Sequence, residues 1–398
     1  MSGTCDERQS GTACSNCTSQ EGCCSIRTVQ SEGSTSLRQG EGVDFPGTSN
    51  GVRSPKDTYR IDSHKLMYHP ERVTRWLHGE KIYPIYVEIS PTSACNHRCV
   101  FCGLDFVGYK PRYLDWRRLK EIFYEFERLG IKSVMFGGEG EPFLNDDLSK
   151  MVVTAFYHNL DVALTTNGTL FNNPYHYLGV VKWIKTSINA GTPQSYSQIH
   201  RTSQNDFHTV IRNMERAAEV RARERCRCTL GMQAILLDKN KDTIHLLAEI
   251  ARDIGMDYLV IKPYSHHPSS KHKDFSVDIS HIKDISERLM SYNTDSFEVI
   301  FRLHAFKQSE TIRNYEECLA LPFWAYISTE GDVWNCSAKM GNDDTFFLGN
   351  IYKTPFENIW KNHFDSSDLY GCRVNCRMNS CNEYLWKLKY PDDHVNFI

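Results

Sequence analysis

The chain has 398 residues, a formal net charge of −3, 40% hydrophobic and 24% charged residues, enough for about two to three domains. That charge argues against the basic footprint of a nucleic-acid binder. No apolar run of about 18 residues marks a membrane span, and no apolar N-terminal core marks a signal peptide, so a cytoplasmic protein is expected. Fifteen cysteines in such a protein point to metal binding or catalysis before disulfides. Residues 1–55 are rich in Ser, Thr, Gly and Gln, a composition that buries no core and reads as a disordered tail. The tail holds Cys5, Cys14, Cys17, Cys23 and Cys24. They could bind zinc or an extra cluster, or be adventitious thiols on a flexible segment.

Residues 56–80 form a lead-in with a short helix around 70–77. Residues 82–90 (IYPIYVEIS) are β-branched and aromatic, the pattern of a strand. The strand runs into Cys95, Cys99 and Cys102, spaced CxxxCxxC. Three thiolates so close together can hold three corners of an iron–sulfur cube, which leaves one iron without a protein ligand. An open metal position is where a substrate or cofactor coordinates. The competing readings are a structural zinc site that recruits His97, or buried thiols.

A helix follows, with Trp116, Leu119, Ile122, Phe123, Phe126 and Leu129 in phase and Gly130 as C-cap. Residues 132–136 are a short buried strand ending in Gly137-Gly138-Glu139-Gly140-Glu141-Pro142. Glycines there let a ligand approach the backbone, and carboxylates can accept hydrogen bonds from an ammonium. Strands at 161–165, 181–188, 229–236 and 258–262 alternate with helical patterns. Six βα units predict a parallel, barrel-like sheet. Asn167 lies in a polar turn after the third strand; Ser187 and Asn189 close the fourth. Lys262, Tyr264 and His266 end the sixth, as a substrate-contacting rim or a solvated loop. Cys226 and Cys228 precede the fifth strand, at the opposite end of the barrel, and read as packing cysteines.

The last eighty residues carry Cys318-x12-Gly331-x4-Cys336, then Leu348-Gly349-Asn350-Ile351, Phe356, Ile359 and Trp360, then Cys372, Cys376 and Cys381. Together with the CxxxCxxC loop and the glycine–glutamate strand end, this pattern resembles the radical S-adenosylmethionine (radical SAM) superfamily with a C-terminal SPASM/twitch extension. The resemblance implies an α/β chain: a partial (β/α)6 barrel over 81–305 and a small cysteine-rich domain over 306–398. It implies a 4Fe–4S cluster on Cys95, Cys99 and Cys102, whose open iron chelates S-adenosylmethionine (SAM). It places SAM against Gly140 and Glu141, with Gly138 and Glu139 as the second register, and against Asn167, Ser187 and Asn189. One auxiliary 4Fe–4S cluster is expected on Cys318, Cys336, Cys372 and Cys376, with Cys381 as a spare thiol or an alternative ligand.

The activity so implied is reductive SAM cleavage to a 5′-deoxyadenosyl radical that abstracts a substrate hydrogen. An external electron donor such as flavodoxin or ferredoxin is expected. Lys262, Tyr264, His266 and Cys381 are the candidate catalytic residues. The expected substrate is a small polar metabolite, a sugar, aminosugar or nucleotide-sugar, undergoing oxidation, epimerisation or elimination. The reasons are the polar rim and an N-terminal region without a winged-helix pattern. The alternative is a peptide- or protein-modifying maturase; a more distant one is a non-catalytic iron–sulfur redox protein.

Overall fold

In the computed structural model, which describes Tyr59, Ile61 and residues 63–272, 281–307, 313–370, 372 and 376–397, the apolar runs become a single large sheet. The tail and its five cysteines lie outside the described residues. The lead-in helix α1 (Pro70–Leu77) starts on proline and buries Val73 and Trp76. These pack with Ile82 and Ile85 against Leu319, Phe323 and Leu385 near the C-terminus.

Seven parallel strands then alternate with helices. They are β1 (Tyr86–Ile89), α2 (Trp116–Leu129), β2 (Ser133–Phe136), α3 (Leu148–Tyr157), β3 (Asp161–Thr166), α4 (Tyr175–Leu178), β4 (Val181–Ser187), α5 (Pro193–His200), α6 (Gln204–Arg223), β5 (Thr229–Ile235), α7 (Ile244–Asp253), β6 (Tyr258–Lys262), α8 (Ile282–Met290), β7 (Glu298–Phe301) and α9 (Leu303–Lys307). The expectation of six strands misses β7, which pairs in parallel with β6. The α2 helix shows why the sequence folds so. Asp115 caps it by accepting from Arg117 N at 2.9 Å, and Gly130 ends it at φ 74°. Leu119, Ile122, Phe123 and Phe126 are fully buried, each worth about 1.5–3 kcal/mol.

The chain continues through β8 (Glu317–Cys318), β9 (Trp324–Ile327), β10 (Asp332–Trp334), β11 (Phe347–Asn350), α10 (Phe356–Trp360), β12 (Ser367–Asp368) and α11 (Asn379–Lys389). The sheet order is β11-β10-β9-β1-β2-β3-β4-β5-β6-β7. The C-terminal hairpin therefore extends the barrel sheet beyond β1, with β9 parallel to β1 and Tyr326 beside Glu88. Among the described residues no helix is long and apolar enough to cross a membrane.

Strand alternation sorts side chains onto two faces. Val87, Ile89, Ile184, Met232 and Leu259 join the core under the helices. Tyr86, Glu88, Lys185, Ser187, Gln233 and Lys262, out of phase with them, face the lumen. Tyr258, Val260 and Ile300 close the lower lumen with Tyr59 and Ile61. A Cβ on Gly231 would meet the Tyr258 ring at 2.1 Å, so that plug requires glycine. The upper lumen, at the strands' C-terminal ends, is left to polar groups.

Candidate active site

Cys95, Cys99 and Cys102 sit on the loop after β1, and its backbone is fastened to α5: Arg98 N donates to His200 O at 3.1 Å, Val100 N to Ile199 O at 2.9 Å. The thiols are close enough to raise one another, and burial pushes Cys95 up to about 11 and Cys99 well above its ordinary value. The Tyr109 hydroxyl donates to the Cys102 sulfur. Three half-buried thiols on one short loop, near enough to feel one another and with the Arg98 guanidinium favouring the thiolates of Cys95 and Cys102, fit a cationic cluster as their partner. The sequence reading missed His200. Its Nε2 donates to Ile188 O at 2.7 Å, and its Nδ1 lies 3.2 Å from Cys99 Sγ. Burial pushes the ring down to about 3, so it stays neutral and accepts from the thiol. His97, Cys99 and His200 place ligand atoms within 4.8 Å of one another, a group that leaves out Cys95 and Cys102 and so differs from the zinc site of three cysteines and His97. No sequence spacing signals His200, since it reaches the loop from α5.

The two glycine–glutamate pairs part company. Gly140 is pressed on the cysteine loop, where a Cβ would meet Ala94 O at 2.1 Å, and Glu141 N donates to Ala94 O at 2.9 Å. The Glu141 carboxylate accepts from Thr166 Oγ1 and Asn167 N, each at 2.6 Å. Burial nevertheless raises it to about 7. Glu139 turns the other way, and its Oε1 accepts from Tyr326 Oη at 3.2 Å and Thr329 N at 3.1 Å. Gly138 (φ +102°) stands against Tyr326 and Ser90. The first pair joins the barrel to the C-terminal hairpin; the second adjoins the cysteine loop.

Asn167 joins that second network, donating from Nδ2 to Asn96 Oδ1 at 2.7 Å. Asn189 is fully buried at φ 53°. It donates to Ser187 Oγ at 3.0 Å and accepts from Ile235 N at 2.7 Å. Its side chain is thus spent on the β4–β5 strand ends, and Ser187 stands one step nearer the lumen.

A cavity of about 240 Å³ lies between the cysteine loop and the C-terminal module. Gly103 and Leu104, just past Cys102, line one side; Cys336 and Cys376 line the other, with Lys262 below. Two proposed rim residues are not there. The chain after β6 is extended, so Ser265 and His267 face the cavity while Tyr264 and His266 do not. Tyr264 donates instead to His272 O at 3.2 Å, and His267 Nε2 meets Ser337 O at 3.1 Å.

In the C-terminal module, Cys318 feels Cys376 and Cys336, and Cys372 hydrogen-bonds to Cys376 and feels Cys318. Four thiols so linked are a donor set that fits a second cluster. Cys381, on α11, is pushed up to about 12 by burial and then by Cys376. It packs with the α1–α11 core and does not line the cavity. Among the described residues no cysteine is in a disulfide. Cys226 and Cys228 lie before β5, at the strand ends away from the cavity, and Cys228 is buried.

Residues 89–250 match the radical SAM superfamily, and residues 318–382 match SPASM, an iron–sulfur cluster-binding domain. The mycofactocin maturase MftC of Mycobacterium tuberculosis is 24% identical over 311 residues, 76% of each chain. A GTP 3′,8-cyclase of Stenotrophomonas maltophilia is 31% identical over 186 residues, 45% of this chain and 52% of that protein. Among solved structures, Streptococcus suis SuiB bound to precursor peptide SuiA aligns at TM-score 0.59 and 16% identity, over 80% of this chain and 73% of that one. The enzyme anSMEcpe with bound AdoMet aligns at TM-score 0.51 and 16% identity, over 78% and 84%.

Proposed function

Because the chain belongs to the radical SAM superfamily and carries a C-terminal SPASM domain, we propose that it is a maturase that modifies a residue of a peptide or protein, and not a sugar enzyme. The observation that carries this is the end-to-end likeness to a maturase, over 76% of both chains, where the cyclase likeness spans about half of that enzyme. The solved neighbour that binds a precursor peptide supports it.

Cys95, Cys99 and Cys102 would hold the cluster, which with SAM bound would supply a 5′-deoxyadenosyl radical for hydrogen abstraction. The protein's part is placement. Glu141, fixed by Thr166 and Asn167, offers a carboxylate beside the loop for the SAM ammonium. Asn189 fixes Ser187 at the end of β4, where its hydroxyl would serve the ribose. Gly103, Leu104, Ser337 and Ala338 line the space for the substrate between the two cysteine sets. Cys318, Cys336, Cys372 and Cys376 would hold an auxiliary cluster, which would supply an acceptor for an electron.

The test uses anaerobically reconstituted protein, SAM, a reductant and an extract of the native organism split by size. The large fraction is expected to stimulate 5′-deoxyadenosine release and to lose that effect after protease treatment. Stimulation by the small, protease-resistant fraction alone would return the assignment to a metabolite.

A further inference from the structure

We infer that the upper lumen, below the cavity, is a subsite for an oxyanion of the substrate, a carboxylate or a phosphate. The inference deepens the maturase reading and rests on it for the source: in a peptide the group is a carboxylate.

Four cations meet there. Strand alternation turns Lys185 of β4 and Lys262 of β6 inward. Arg302 follows β7 and lines the cavity with Lys262. Arg377, next to Cys376, enters from above, its guanidinium 4.3 Å over the Trp324 ring. Glu88 is the carboxylate that faces them, and it lies 2.5 Å from Arg377. Among the described residues the Lys262 ammonium has no hydrogen bond or ion pair, and the Lys185 ammonium has only the Trp183 ring, at 5.3 Å. Arg377 takes up Glu88, so among the described residues the two lysine ammoniums are left without a carboxylate. Charges taken from water without partners are costly, and here they also repel one another: burial and then Lys185 hold Lys262 well below the ordinary lysine range. An anion relieves both costs, through charge-assisted hydrogen bonds.

SAM's own carboxylate is the rival occupant. The residues proposed to hold SAM (Glu141, Asn167, Ser187 and Asn189) are not part of the cavity lining, which places the cation cluster on the substrate side.

The test needs no substrate. Inorganic phosphate and acetate are each titrated calorimetrically into reconstituted holoenzyme that is saturated with SAM. Phosphate is expected to bind. Lys262→Gln and Arg302→Gln, each checked for native iron content and melting temperature, should weaken it about tenfold or more, and Lys262→Arg should restore most of it. Acetate competing with phosphate would point to a carboxylate; phosphate binding alone would point to a phosphate ester. Unchanged binding in properly folded Lys262→Gln would overturn the inference. Phosphate binding that vanishes when SAM is added would overturn it too, by giving the cations to SAM. Anion binding without any peptide stimulation of SAM cleavage would sink the maturase reading and leave this one standing.

Discussion

Cys95, Cys99 and Cys102 come from one short loop, whereas Cys318, Cys336, Cys372 and Cys376 are gathered from separate segments. The first set is organised locally, by contacts with α5, Gly140 and the Asn96–Asn167 pair. The second exists only once β9 has docked on β1 and Arg377 has reached Glu88. One is a motif in the chain and the other a product of topology. On the proposed function the contrast also divides the work, with SAM cleavage assigned to the first and the fate of the substrate radical to the second.

The largest expected effects test that division directly. Cys99→Ala should bring 5′-deoxyadenosine release down about a thousandfold or more, to background, and should lower iron from about eight to about four per chain. Cys336→Ala should remove a similar amount of iron. It should abolish product, while substrate-free SAM cleavage falls by less than about tenfold. Equal loss of SAM cleavage in both variants, measured by chromatography of 5′-deoxyadenosine, would dissolve the division.

Next in size is the support of the first loop. Gly140→Ala drives a methyl into Ala94 O, 2.1 Å from the ideal Cβ, whereas a Cβ on Gly137 meets Thr165 at an ordinary 3.5 Å. Gly140→Ala should cost about 3 kcal/mol or more in denaturant unfolding and lose the loop's cluster. Gly137→Ala should stay within about 1 kcal/mol. Similar behaviour of the two would mean that the loop tolerates displacement and is not pre-organised by its neighbour.

How much of this is readable before folding follows the same contrast. The CxxxCxxC loop, strands β1 to β6 and helix α2 announce themselves through local spacing and burial patterns. Strand β7 does not. Glu298–Phe301 is four residues long and opens on a charge, so it offers no alternation to count. The pairing of β9 with β1 is a choice between sheet edges, which no local pattern encodes. Lys185 was legible in part: it shares a strand face with Ser187, and a lysine on that face is a signal that the strand's apolar neighbours obscured. His200 was not legible, because its role depends on where α5 ends relative to the loop. Tyr264 and His266 misled for a simple reason. Extended chain alternates, and a one-residue difference in phase puts Ser265 and His267 in their place.

A smaller effect separates the two glutamates. Tyr326 Oη and Thr329 N both donate to one oxygen of Glu139, so Glu139→Gln can keep those two bonds with its carbonyl, and the Thr329 hydroxyl, which also bonds to Glu139, can rotate. Glu141 uses both oxygens, one for Thr166 Oγ1 and one for Asn167 N. Glu141→Gln therefore sets an amide NH₂ against a buried donor, at about 1–3 kcal/mol, and should raise the KM for SAM about tenfold. Glu139→Gln should change that KM less than about twofold. A larger SAM defect in Glu139→Gln would exchange the registers.

The smallest effect has a sign that distinguishes an anion subsite from a merely buried lysine. Burial, then Arg302, lowers Lys185 from 10.5 to about 8, with Arg377 adding to the fall and Glu88 opposing it; Lys262 and the Trp183 ring also face it. Between pH 8 and 10.5 the unfolded chain holds a proton on Lys185 that the folded protein has released, so the stability contribution of this lysine rises with pH. Wild type should accordingly gain on Lys185→Met in thermal unfolding across that window. Phosphate affinity should move the opposite way. It falls as pH climbs past about 8, because the neutral amine no longer attracts the anion, and Lys185→Met should flatten that fall. Stability and anion binding rising together across the window would mean that Lys185 is buried for packing alone, and the lumen would lose one of its four cations as a ligand for substrate.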